Sequence, residues 1–135
     1  MNILITGASR GIGFACVKKW LEIADCKIIA LARNIEPLQI FLADNPQFAP
    51  RLFIYPFDIA QFDAAQHLKN WEQQFAHLDI LVNNAGLLIN KPFTALSDAD
   101  WHSIFEINVF GAAKLMQILY PLLKKSNKAH IVNVG

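Results

Sequence analysis

A short apolar strand over 2–6 runs directly into Gly7-Ala8-Ser9-Arg10-Gly11-Ile12-Gly13, and a helical pattern begins inside that loop. Three glycines between a buried strand and a helix allow a sharp turn and leave the backbone bare. Glycine tolerates φ > 0 and lets other atoms come close to the main chain. The mouth of the helix presents N–H groups with no intrahelical acceptor and the positive end of the macrodipole. Such a loop suits a bound pyrophosphate. The alternative is a tight turn with no ligand, but a strand before the glycines and a helix after them favour the phosphate.

The rest of the chain keeps the same rhythm. Apolar runs at 2–6, 27–32, 52–56, 80–83 and 131–134 alternate with helical-period stretches at 11–24, 35–44, 60–76 and from 97 or 101 to 125. Five nearly continuous apolar strands separated by helices predict an α/β fold with a parallel sheet covered on both faces. On the third helix Ala65, Leu68, Trp71 or Glu72, and Phe75 recur at three- and four-residue steps, which marks the core face. No repeat, low-complexity tract or Gly/Ser/Pro linker divides the chain. Residues 1–135 therefore read as one domain, long enough to bury a core.

Composition narrows the function classes. Net charge is +1 with no basic block, so neither nucleic acid nor an anionic membrane surface is an expected partner. The first strand starts too early for a secretory leader and no apolar run has the length of a membrane span, so a cytoplasmic location is expected. Cys16 and Cys26 lack knuckle or redox spacing, and Cys16 is expected to be a small buried residue. His67, His77, His102 and His130 show no ligand spacing, so no metal is expected. Mean hydropathy is +0.30, and charged residues are 17%, below the usual quarter or so. Some apolar surface should be left uncovered.

In a dinucleotide fold that takes NAD, an acid roughly twenty residues past the last glycine accepts from the ribose 2′-OH. Here the second strand ends at Arg33. A guanidinium cannot accept a hydrogen bond, but its donor fork fits a 2′-phosphate, and Arg10 in the glycine loop can reach the same group. A charge-assisted contact of about 1.5–3 kcal/mol corresponds to a preference of roughly ten- to a hundredfold. NADP(H) is thus favoured over NAD(H); the alternative for Arg33 is a solvated surface side chain.

These motifs carry a resemblance. Thr6-Gly7-Ala8-Ser9-Arg10-Gly11-Ile12-Gly13 is similar to the TGxxxGxG cofactor loop of the short-chain dehydrogenase/reductase family, and Asn83-Asn84-Ala85-Gly86 to its NNAG motif. The resemblance runs the length of the chain and implies a Rossmann-like doubly wound sheet of strand order 3-2-1-4-5, truncated after the fifth strand. It implies cofactor contacts from Gly7, Ser9, Arg10, Gly11, Ile12, Gly13 and Arg33 at one end. Asp58 and Ile59 are implied at the adenine, and Asn84, Ala85 and Gly86 near a ribose. Asn83 and Asn84 could equally tie neighbouring strands and loops together, whereas Gly86 leaves room for the cofactor.

Asn108 matches the family's catalytic asparagine, which is implied to bind backbone and water in a proton relay. The residues flag it independently. Trp101, Ile104, Phe105, Ala112, Leu115, Leu119 and Leu122 form an apolar stripe, and Asn108 falls on it. A buried amide satisfied by nearby backbone is the alternative, since a stranded one costs about 1–3 kcal/mol.

Reducing a carbonyl by hydride also needs a proton donor and a group that polarises the carbonyl. The family is implied to supply them as a serine just after the fifth strand and a Tyr-x-x-x-Lys on the next helix. The run from His130 to Gly135 resembles the lead-in to that serine. Tyr120 and Lys124 fit Tyr-x-x-x-Lys as a string, but Tyr120 lies about 18 Å along the helix from Asn108 and precedes the fifth strand. They are rejected as substitutes. The expected activity is an NADP(H)-dependent oxidoreductase interconverting a carbonyl and an alcohol of a small molecule, present as a cofactor-binding fragment expected to be inactive. The resemblance implies a homo-oligomer for the full-length protein. The alternative function is a non-catalytic nucleotide-binding or interaction module.

Overall fold

A computed structural model describes residues 1–23 and 25–135. Five parallel strands form one sheet: β1 (Asn2–Thr6), β2 (Lys27–Ala32), β3 (Leu52–Pro56), β4 (Ile80–Asn83) and β5 (His130–Asn133). Their order is β3-β2-β1-β4-β5, as the motifs imply. The first four strands fall where the apolar runs end. β5 begins and ends one residue earlier than expected, because His130 N–H donates to Asp79 O (2.8 Å) and draws the strand into register with β4.

Helices cover both faces. α1 (Gly11–Ile23) and α2 (Glu36–Asp44) lie on one side, where Val17, Leu21 and Leu38 pack with Ile3, Ile5, Ile28 and Ala30. The expected last residue of α1, Ala24, lies outside the described residues. On the other side α3 (Ala64–Glu72) and α5 (Ala112–Lys124) set Trp71, Leu115, Leu119 and Leu122 against Leu4, Ile29 and Leu81. Alternate strand residues serve the two cores, as the two-residue period of a pleated strand requires.

α3 is shorter than its periodicity suggests. Its N-cap is Asp63, whose Oδ1 accepts from the N–H groups of Ala65 (3.0 Å) and Gln66 (3.1 Å). Residues 58–62 remain a loop, and Ala65 and Glu72 are exposed while Trp71 and Phe75 are buried.

The longest helical stretch is interrupted. α4 (Asp98–Phe105) starts at a capping box in which Ser97 Oγ accepts from Asp100 N–H and Asp100 Oδ2 accepts from Ser97 N–H. A π-helical turn (Glu106–Gly111) then links it to α5. The wider turn shifts the helical phase, so the expected stripe does not stay on one face. Leu115, Leu119 and Leu122 are buried, whereas Trp101 and Phe105 are exposed. β5 is an edge strand with Ile131 and Val132 exposed, which agrees with the surplus of apolar residues. Cys16 is half-exposed rather than buried; it is Cys26 that is sealed in the core.

Candidate functional site

β1 sits at the centre of the sheet, between β2 and β4, and the helix that follows β1 packs on one face while α5, which follows β4, packs on the other. A crevice opens at such a switch point. Here it is a cleft of about 810 Å³.

One wall is the glycine loop. Gly7 and Gly11 have φ of +63° and +55°, which only glycine adopts without strain. A Cβ at Gly11 would meet nothing within 4 Å, so the space in front of that residue is open. Gly7, Ser9, Arg10, Gly11 and Ile12 all line the cleft. Ile12 is well exposed at 59%, which places it toward the opening and away from the core. Gly13 does not line the cleft. Its role is packing, since a Cβ would run into the Gly7 carbonyl and sit 2.5 Å from Asn84 Nδ2.

The turn after β4 braces this loop from behind. Thr6 Oγ1, fully buried, accepts from the N–H groups of Asn84 (3.0 Å) and Ala85 (2.9 Å). Asn84 Nδ2 donates to the carbonyls of Thr6 (3.2 Å) and Gly7 (3.0 Å). Asn84, Ala85 and Gly86 also face the cleft. Asn83 does not; it is buried and donates from Nδ2 to Asn133 Oδ1 (2.9 Å), tying β4 to β5. For these two asparagines the structure shows the tying contacts directly.

Two further loops complete the cleft. Arg33 follows β2 and lines it, as do Asp58 and Ile59 after β3. Among the described residues neither the Arg10 nor the Arg33 guanidinium has a hydrogen-bond or ion-pair partner, so two unpaired cationic side chains line the cleft that Asp58 also lines. Asp58 Oδ1 accepts from Ala60 N–H (3.0 Å), which fixes the carboxylate at the turn.

Asn108 lies on the π-helical turn and is exposed, not buried on a stripe. Its amide nevertheless has two partners: Oδ1 accepts from Leu87 N–H (2.8 Å) and Nδ2 donates to Leu87 O (2.9 Å). The side chain thus clasps the backbone just beyond Gly86. Tyr120 is exposed on α5 and contributes nothing to the cleft, in keeping with its rejection.

Sequence reasoning missed part of the lining. Leu31 and Ala32 end β2, Asn34 and Pro37 follow Arg33, Phe57 precedes Asp58, and Ile107 precedes Asn108. Ala32, Asn34, Phe57 and Ile107 are each adjacent in the chain to a predicted site residue, whereas Leu31 and Pro37 are not. Among the described residues no group of three His, Cys, Asp or Glu side chains is placed to hold a metal ion, and no helix is long and apolar enough to cross a membrane.

Comparison with known proteins agrees with this geometry. The family model described as short chain dehydrogenase matches residues 1–135. The chain is 31% identical, over 100% of its own length and 54% of the relative's, to the NADP-dependent 3-hydroxy acid dehydrogenase YdfG of Shigella flexneri. It is 32% identical to farnesol dehydrogenase of Aedes aegypti, covering 98% of this chain and 55% of that protein. A Shigella flexneri short chain dehydrogenase solved as a complex with NADP superposes with a TM-score of 0.88 at 28% identity, over 98% of this chain and 57% of that one. The chain therefore spans about half the length of the curated relatives it matches. The match over the full 135 residues, on this sheet order and this glycine-lined cleft, places the chain in the short-chain dehydrogenase family.

Proposed function

We infer that the cleft binds NADP(H) and that the chain is the cofactor-binding part of an oxidoreductase that interconverts a carbonyl and an alcohol. The observation that carries the cofactor reading is the pair of unpartnered arginines, Arg10 and Arg33, on the rim of a cleft whose wall is a bare glycine loop. Two guanidinium groups with no ion pair of their own suit a phosphate on the ribose. The relative YdfG, described as NADP-dependent, and the solved relative in complex with NADP support the same choice.

The bound cofactor would supply or accept the hydride. The chain's own residues do the holding. The N–H groups at the start of α1 face a pyrophosphate, with Gly7 and Gly11 keeping side chains out of its way. Asp58 and Ile59 take the adenine end, and Ala85 and Gly86 leave room for the ribose nearer the reacting ring. Asn108, through its clasp on Leu87, fixes the chain where it passes the reacting end.

Purified full-length protein mixed with NADPH and a panel of small ketones and aldehydes provides the test. Loss of the dihydronicotinamide absorbance with at least one carbonyl is the expected result. Tight NADPH binding with no turnover of any carbonyl or alcohol would instead favour a non-catalytic nucleotide-binding module.

A further inference from the structure

Gly111 ends the π-helical turn with an ordinary right-handed backbone, φ −60° and ψ −47°, so conformation does not demand a glycine there. Space does. A Cβ at Gly111 would lie 2.6 Å from the Ile59 carbonyl oxygen, 2.7 Å from Ile59 Cγ1 and 3.1 Å from the Glu106 carbonyl oxygen. Two of the three are backbone atoms and cannot rotate away. Ile59, only 6% exposed, stands beside Asp58 on the cleft wall. Four residues back along the same turn Ile107 lines the cleft, and next to it Asn108 holds the backbone of Leu87, the residue that follows the cleft-lining Gly86. One helical turn thus touches both the loop after β3 and the loop after β4.

We propose that Gly111 is a positioning residue for nucleotide binding: its missing side chain lets the π-helical turn seat against the Ile59 carbonyl, and that contact sets the separation of the two cleft walls. A methyl group at this point must push the Asp58–Ile59 loop or the turn itself outward, because a packed interior has no slack to absorb it. Since Ile107 and Asn108 ride on the same turn, either displacement alters the cleft. The inference rests on the reading of the cleft as a dinucleotide site.

The test uses full-length protein and adenosine 2′,5′-bisphosphate, which carries the adenine and the 2′-phosphate but no nicotinamide. In calorimetric titration, Gly111→Ala is expected to raise the dissociation constant by about tenfold. The stoichiometry counts the folded fraction and the dissociation constant reports the cleft, so a general loss of packing is separable from a repositioned wall. An unchanged dissociation constant in whatever fraction folds would overturn the proposal. If the variant does not fold, hydrogen exchange on the wild-type protein decides: saturating nucleotide should slow the amides of 108–112, and no slowing there would overturn it. Failure of the wild-type protein to bind the nucleotide at all would instead refute the cofactor reading, and this inference with it.

Discussion

At the scale of single residues, the cleft depends on side chains that never touch its interior. Thr6 is the clearest case: one buried hydroxyl accepts from two successive N–H groups and so holds the turn after β4 against the glycine loop. Valine has the same shape but no acceptor. Thr6→Val should therefore destabilise the full-length protein by about 2 kcal/mol, because the two N–H groups lose their partner. Denaturant unfolding monitors this; a change below about 0.5 kcal/mol would mean the hydroxyl is replaceable by solvent. For Asn84 the tying role, one of two that the sequence allows, is the one the hydrogen bonds show. Its position beside the glycine loop is legible from the motif, but the two bonds from its amide to the Thr6 and Gly7 carbonyls appear only once β1 and β4 are side by side.

At the scale of elements, strands were legible and helix boundaries less so. A fully buried strand leaves an unbroken apolar run, and β1 to β4 end where those runs end. The start of α3 is ambiguous because two aspartates compete. Asp58 and Asp63 are both able to cap, and the structure uses Asp58 for a turn at Ala60 and Asp63 for the helix. The π-helical turn leaves no trace in a pattern of three- and four-residue steps, and its extra residue takes Asn108 off the face that those steps predict.

The far edge of the sheet depends on one carboxylate. Asp79 accepts from Asn2 N–H (2.8 Å) and Ser126 Oγ (2.6 Å) and lies 3.2 Å from His77 Nε2, joining β1, β4 and the connection from α5 to β5. Burial pushes the Asp79 carboxyl up, but the hydrogen bonds from Ser126 and Asn2, with His77 and the terminal amine, outweigh it and hold it below the ordinary carboxylate range. A carboxyl whose folded value lies below its unfolded one stabilises the fold above the unfolded value, about 4, and loses that contribution as pH falls through the folded one. The melting temperature of the full-length protein should accordingly drop on acidification below about pH 4, and less steeply in Asp79→Asn. Parallel curves for the two proteins would remove Asp79 from the account.

For the whole molecule, the fold is a means of bringing four separate connections to one place. The glycine loop, the end of β2, the loop after β3 and the turn after β4 lie far apart in the chain and meet because β1 is central. That convergence was legible from the motifs, since the strand order follows from them. The full lining was not, because Pro37, Phe57 and Ile107 become cleft residues only through the packing of three different helices and loops. We propose that this convergence selects a 2′-phosphorylated dinucleotide. Its most direct test is calorimetric titration of the full-length protein with NADPH and with NADH, wild type and Arg33→Asp in parallel. The wild type is expected to bind NADPH at least about tenfold tighter, and the substitution to narrow or reverse the gap; equal affinities in the wild type would overturn the assignment of Arg33 to a 2′-phosphate.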